Sequence, residues 1–318
     1  MKTNIKDIFL AVAIGGFISV TTTSCKKDDP APAPTPNIVQ LAQSDTTLSI
    51  LVSAVTKAGL ATTLSNTSNL TVFAPTNAAF RSAGYPQTVI DALTPAQVTS
   101  VLTPILTYHV LAAKVASTGV PASDTVKTLN GKNIYASKNA NGVFINGIQV
   151  SAADLNASNG VVHKIAGVLV PPTQTIAEIV IANPGTFSLL LAAVQRAGLA
   201  GALSGAGKFT VFAPTDAAFG TTPYNTAAIL AAAPVDAVAG IVKAHVIGTN
   251  VFASDLINNS TAPTLNAGQT LTIGTTPPSV KITGSANPAS PIVTTTPGAT
   301  FNIVATNGVI HVVSSVIL

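Results

Sequence analysis

The stretch Thr47–Phe80, TLSILVSAVTKAGLATTLSNTSNLTVFAPTNAAF, returns at Thr186–Phe219 as TFSLLLAAVQRAGLAGALSGAGKFTVFAPTDAAF; without a gap, 20 of the 34 positions are identical. A repeat of this size decides architecture before any local reading does. The register holds to Pro95 and Pro234, 139 apart, and three extra residues around Pro104 then reduce the offset to 136 at His109 and His245. Those extra residues are expected in a connection. Each copy closes with Asn-Gly, apolar residues and a histidine, NGVVHKIAGVLVP from Asn159 and NGVIHVVSSVIL from Asn307. The copies therefore run over 37–171 and 172–318, joined by Pro171, Pro172 and a few neighbours. Each exceeds 100 residues and is long enough to hold its own core, unlike solenoid units that depend on stacking.

Within a copy, Leu48, Leu51, Val52 and Val55 fall at helical spacing with Gly59 as a stop, as do Phe187, Leu190, Leu191 and Val194 with Gly198. LTVFAP and FTVFAP each read as one buried strand ended by proline. Thr76 and Thr215 are expected to cap the helices that follow, with Asp216 adding a favourable charge to its first turn. Thr94 before Pro95 opens another helix toward Tyr108. The later half of each copy switches to strands, with Asn130-Gly131 read as a two-residue hairpin turn and Asn141-Gly142 and Asn146-Gly147 as further turns. Helices first and strands second give an α+β fold. TPPSVKITGSANPASPIVTTTPGATFN in the second copy predicts at least one extended loop.

Composition narrows the function classes. Of 318 residues, 47% are apolar and only 8% charged, so a packed interior must be finished outside with Ser, Thr, Asn, Gly and Ala. The net charge of +4 is spread thinly, with no basic run for nucleic acid. One cysteine rules out a disulfide framework and a thiolate zinc site, and one glutamate with four histidines leaves few ligands or bases. There is no tryptophan to stack on a sugar.

Lys2 and Lys6 precede a 13-residue apolar run, Ile8–Val20, which fits a signal peptide over 1–24 and falls short of the ~20 residues that span a bilayer. TTTSC then resembles the lipobox of bacterial lipoproteins, with Thr22 where leucine is usual. On that reading Cys25 is the lipid attachment; a free thiol beside an ordinary cleavage site is the alternative. CKKDD resembles the signal that sends Bacteroidetes-type lipoproteins to the outer face of the outer membrane, or is a plain solvated charge cluster. Alternating Ala and Pro from Pro30 to Pro36 favour an extended conformation of about 3.1 Å per residue, so 25–36 reads as a lipidated, stiff tether.

LTVFAPTNAAF with NGVVHKIAGVLVP, and FTVFAPTDAAF with NGVIHVVSSVIL, resemble the two signature segments of fasciclin domains, with the YH segment TYHVL from Thr107 between them in the first copy. The likeness covers nearly all of 37–318. It implies two tandem fasciclin-like domains, each a β-strand wedge flanked by several short helices, and a non-enzymatic adhesion or interaction role without a cofactor. The tyrosine and histidine region serves receptor binding in animal members. Tyr108 and His109 are accordingly candidate partner-binding residues, while the second copy has Ala244 before His245. No RGD tripeptide supports an integrin-type partner.

All four histidines occupy repeat-equivalent positions, His109 with His245 and His163 with His311. They read either as metal ligands or an acid-base couple, or as core imidazoles bonded to backbone. Lacking regular acidic or thiol companions, the structural role is expected for His163, His245 and His311. Phe73, Phe80, Phe212 and Phe219 are expected in the interior. GALSGAGKF from Gly201 approaches a phosphate loop, but Ala202 and Phe209 stand where Gly and Ser or Thr are required. The expectation is a surface lipoprotein on the bacterial outer membrane, facing the exterior or alternatively the periplasm. Its membrane contact is the lipid, its partner a surface protein, matrix or glycan, and it binds no nucleic acid. The competing reading is an envelope structural protein without an external ligand.

Overall fold

The computed structural model describes residues 34–275, 278–282, 289–292 and 302–318. The leader, Cys25, nearly all of the tether and most of the Pro- and Gly-rich loop expected in the second copy lie outside these residues. No single helix among the described residues is long and apolar enough to cross a membrane.

The first repeat opens with helices Ile38–Ser44, Ser49–Lys57 and Ala61–Asn66, whose apolar faces carry Ile38, Ala42, Leu51, Val55 and Leu64 into one core. The chain then enters β1 (Leu70–Pro75), buried along its whole length. Thr76 ends the strand and starts the helix Asn77–Ser82, its hydroxyl accepting from the Ala79 N–H at 3.2 Å; Thr215 does the same for Ala218. Each such cap is worth about 1 kcal/mol. The residue after each cap reaches further. Asn77 Oδ1 accepts from the Ile50 N–H at 2.9 Å, and Asp216 accepts from the Leu189 N–H and the Ser188 hydroxyl, both at 2.8 Å. The helix Pro184–Arg196 is kinked at Phe187 (φ −125°, ψ 25°), so Asp216 closes the start of the segment after the kink as well as charging its own helix.

From Pro95 to Tyr108 the chain is helical throughout. It is α-helical over Pro95–Gln97 and Thr103–Tyr108, and a π-type turn fills Val98–Leu102, where the Thr103 N–H reaches the Val98 carbonyl. Pro104 offers no N–H to the carbonyl four residues back, and a widened turn accommodates that loss. The three extra residues expected in a connection are thus absorbed inside a helix. The second repeat, without them, has the plain α-helix Val235–Ala244.

The remaining strands of the first repeat are β2 (Val110–Leu111), β3 (Ser123–Lys127), β4 (Asn133–Asn139), β5 (Gly142–Ile145), β6 (Ile148–Ala157) and β7 (Gly160–Ile165). They form one sheet in the order β2-β1-β7-β6-β5-β4-β3, in which only β1 and β7 run parallel. Asn146 and Gly147 both take positive φ, 48° and 76°, in a two-residue turn between β5 and β6. The turn at Asn130-Gly131 is wider than expected. The Gly131 N–H closes on the Thr128 carbonyl at 2.9 Å, and Gly131 alone is left-handed at φ 84°.

The second repeat follows the same course: helices Ile176–Ala182, Pro184–Arg196 and Ala200–Ser204, then β8 (Phe209–Pro214), further helices, and β9 (Val246–Ile247). Its later strands are β10 (Thr261–Pro263), β11 (Thr270–Thr275), β12 (Pro278–Ile282), β13 (Ser290–Pro291), β14 (Ile303–Ala305) and β15 (Gly308–Val313). Among the described residues they form two sheets, β14-β15-β8-β9 and β10-β11-β12-β13, linked by isolated bridges Ile247↔Thr264 and Ile292↔Val313. Where β6 bulges at Asp154 (φ 58°), the equivalent edge of the second repeat is divided between Ile292 and β14. Each repeat has its own apolar clusters, and none draws residues from both.

The parallel pairs, β1 with β7 and β8 with β15, are held at one point by the closing Asn-Gly. Asn159 accepts from the Ile38 N–H at 2.9 Å and donates to the Leu64 and Thr67 carbonyls, tying the ends of two helices to the head of β7. Asn307 repeats this with the Ile176 N–H and the Leu203 and Gly205 carbonyls. The glycine beside each asparagine is required by contact. A Cβ at Gly160 would lie 2.1 Å from the Leu70 carbonyl oxygen, and one at Gly308 2.1 Å from that of Phe209. We therefore expect Gly160→Ala to cost about 2–4 kcal/mol by forcing the parallel strands apart. Gly185→Ala, whose Cβ meets nothing within 4 Å, should be neutral or stabilising. Urea midpoints of the two variants check this, and equal midpoints would contradict it.

Candidate functional site

Tyr108 and His109 sit where the helix Thr103–Tyr108 hands over to β2, and both are interior, 0% and 2% exposed. The Tyr108 hydroxyl donates to the Asn133 carbonyl at 2.8 Å and accepts from the Asn146 amide at 3.0 Å. Burial raises its pKa to about 12. His109 Nδ1 lies 2.8 Å from the Ile105 carbonyl and must donate to it, while Nε2 accepts from the Leu169 N–H at 2.9 Å. Two bonds of opposite sense fix one neutral tautomer. Neither side chain is open to a partner, which corrects the expectation that this pair makes direct partner contact. The chain turns the pair inward because His109 joins the end of a helix to the closing segment of its repeat at Leu169.

The second repeat builds the same clip without the tyrosine. His245 Nδ1 donates to the Ile241 carbonyl at 2.8 Å and Nε2 accepts from the Ile317 N–H at 2.9 Å, with Ala244 buried beside it. Burial holds the pKa of His109 and of His245 down to about 4. The other two histidines lie on the parallel strands. His163 pairs in register with Phe73 and stacks on its ring at 5.8 Å, and His311 does so with Phe212 at 5.4 Å. His163 Nε2 meets the Val115 carbonyl at 2.9 Å while Nδ1 accepts from the Asp154 N–H at the β6 bulge; His311 Nε2 meets the Val251 carbonyl at 2.8 Å. Among the described residues no three His, Cys, Asp or Glu side chains gather as a metal site. Gly201–Phe209 runs helix, loop, strand, the reverse of the order in which a phosphate loop works.

The surface that sequence reading missed is the seam between the repeats. Phe252, 2% exposed, stacks on Tyr135 of β4 with ring centroids 4.9 Å apart. Beside it the Ser137 hydroxyl donates to Asp255 Oδ1 at 2.6 Å, and the Asn139 amide donates to the Ser254 carbonyl at 2.7 Å. Gly147 at the β5–β6 turn is crowded by Asn302, which would lie 2.4 Å from a Cβ there. The signal for this joint was present in the repeat comparison. Val115 and Val251 are equivalent by their histidine contacts, so Phe252 stands where the first repeat has exposed Ala116. An aromatic that breaks the repeat marks the face that only one copy buries.

Two clefts flank the linker at this seam. The larger, about 710 Å³, is lined by Ala166–Gln174 together with Asn183, Phe187 and Asn302, and by no charged side chain. The smaller, about 280 Å³, shares Asn146, Pro172 and Val304 with it and carries Lys132 from the first repeat and Lys208 from the second.

Comparison with known proteins places these features in a family context. The Fasciclin domain profile matches residues 46–171 and 185–318. Transforming growth factor-beta-induced protein ig-h3 of Sus scrofa is 30% identical over 276 residues, 87% of this chain and 36% of that protein. The chain thus spans about a third of the length of that relative. The cell surface glycolipoprotein MPB83 of Mycobacterium bovis is 34% identical over 110 residues, covering 34% of this chain and 47% of its own. Among solved structures, the domain pair from the insect cell adhesion molecule fasciclin I aligns over 86% of this chain and 97% of its own, at 19% identity and a TM-score of 0.37.

Two outcomes follow from this geometry. Unfolded, His109 and His245 take up a proton near pH 6.5; folded, they resist until about pH 4. The unfolded chain binds more protons in that window, so stability is full above pH 6.5 and falls as pH drops toward 4, by on the order of several kcal/mol for both rings together. Urea midpoints at pH 7.5, 6 and 4.5 should descend, and a flat series would show that the rings charge without penalty. Phe252→Ala should loosen the joint while leaving both cores intact. A larger radius of gyration by small-angle scattering, with unchanged far-UV circular dichroism, is the expected reading; an unchanged radius would mean that other contacts hold the seam.

Proposed function

This chain belongs to the fasciclin domain family, and we propose that it serves as a lipid-anchored surface protein whose two domains act together as a non-enzymatic adhesion unit. Proteins of this family are cell-adhesion or surface-associated modules. The observation that carries the reading is the engagement of the repeated polar residues inside the fold. All four histidines and Tyr108 bond backbone groups or neighbouring side chains, so the repeated polar groups are taken up by the scaffold. What the protein offers a partner is therefore surface shape and polarity, and the seam supplies both.

The anchor rests on the sequence before the described residues. Cys25, preceded by small residues and followed by Lys26, Lys27, Asp28 and Asp29, fits acylation and display on the outer face of the outer membrane, with the Pro-rich tether as a spacer. The likeness to MPB83, a cell surface glycolipoprotein, favours the same arrangement. Two domains held together convert weak contacts into avidity, because tethering raises the effective concentration of the second contact to the ~mM range.

Exchanging Cys25 for Ser should abolish acylation and move the protein from the membrane fraction to the soluble one. On intact cells the unaltered protein should be cut by added protease. Protection from protease until the envelope is opened would replace the adhesion reading with that of an internal envelope component.

A further inference from the structure

The smaller seam cleft has features that the joint itself does not require. Its charged lining is Lys132, half-buried on the β3–β4 connection, and Lys208, exposed just before β8; no carboxylate lines it. Among the described residues neither ammonium has a hydrogen-bond or ion-pair partner. Two like charges facing one hollow repel each other and are stabilised by an anion between them.

The rest of the wall is neutral and rich in hydrogen-bonding groups. Thr125 and Asn250 line it, and among the described residues Thr125 Oγ1 and Asn250 Oδ1 are the two side-chain atoms enclosed without a partner. Leaving such an atom unpaired costs about 1–3 kcal/mol, so each calls for an explanation. Both residues belong to the cleft lining, so each holds an unsatisfied oxygen beside the space a ligand hydroxyl would fill. The wall is firm as well as polar, since the Tyr108 hydroxyl bonds both the Asn133 carbonyl and the Asn146 amide from behind. At about 280 Å³ the cleft lies at the lower edge of the size of small-molecule sites, roughly 300–1,000 Å³.

We propose that this cleft binds an acidic oligosaccharide, whose uronate carboxylates lie on Lys132 and Lys208 and whose hydroxyls pair with Thr125 and Asn250. A compact phosphate would use the lysines and leave the neutral groups idle. An acidic peptide would bring carboxylates without hydroxyls. The sugar acid matches both halves of the lining. The proposal deepens the adhesion reading, on which it rests, by naming the ligand class and its site. It also makes the site a property of the tandem, because each repeat contributes one of the two lysines.

The test uses the soluble chain from residue 26 onward, titrated calorimetrically with tetragalacturonate, with maltotetraose, inorganic phosphate and hexaglutamate as separate arms. Tetragalacturonate should bind, weaken with added salt, and lose at least tenfold in affinity in the Lys132→Gln, Lys208→Gln double variant, whose thermal midpoint should stay unchanged. Absence of tetragalacturonate binding, or equal binding of phosphate or hexaglutamate, would overturn the proposal. So would undiminished affinity in the double variant. Particles coated with the double variant separate the two readings. If they still adhere to cells while the unaltered protein ignores the sugar, adhesion stands and the cleft assignment falls; if the sugar binds but particles coated with the unaltered protein adhere nowhere, the cleft assignment stands and adhesion falls.

Discussion

The parallel pairing of β1 with β7, repeated as β8 with β15, is the constraint on which each domain depends. It joins the helical first half of a repeat to its stranded second half across some ninety residues of chain, and it leaves no room for error at the strand heads. Gly160 and Gly308 let two backbones meet, and Asn159 and Asn307 fasten the neighbouring helices to the same spot. With that point fixed, register follows: Phe73 faces His163, and Phe212 faces His311. The histidines then bond the segments that cross over the sheet at Val115 and Val251. The signature strings of the repeat are largely the parts of this one closure.

What could be read from the residues alone divides along physical lines. Local signals were legible. Thr76, Thr94 and Thr215 cap helices because a short hydroxyl can satisfy an amide two or three residues on, whatever the rest of the chain does. The left-handed pair Asn146-Gly147 was legible for the same reason. Pairing between distant strands was not, since buried apolar runs such as LTVFAP carry no mark of which neighbour they take or in which direction. The three residues around Pro104 were misleading because an insertion count does not distinguish a loop from a widened helical turn.

The site was less legible than the fold, and for a reason peculiar to duplicated chains. Residues shared by both copies attract attention, yet the shared polar residues serve the scaffold that both copies need. His109 and His245 are interior in both. The departures from the repeat carry the individuality of the molecule. Phe252 replaces a small exposed residue and becomes the anchor of the joint, Asp255 receives Ser137 beside it, and Tyr108, absent from the second copy, braces Asn133 and Asn146 behind the seam cleft. Differences between copies, aligned after the fold is known, locate what the pair does that a single domain does not.

The way the chain enters the first repeat has a mechanical meaning. The Ser158 N–H bonds the Pro36 carbonyl at 3.0 Å, and Asn159 holds the Ile38 N–H two residues later. The entry point is thus pinned to the β6–β7 turn, not to the first helix alone. A pull applied at Pro36 would pass at once into the strand hairpin nearest the centre of the sheet, where several hydrogen bonds share it. A domain that opened from its first helix would unravel in sequence under the same pull. This one takes a pull at its entry through a central hairpin of the sheet.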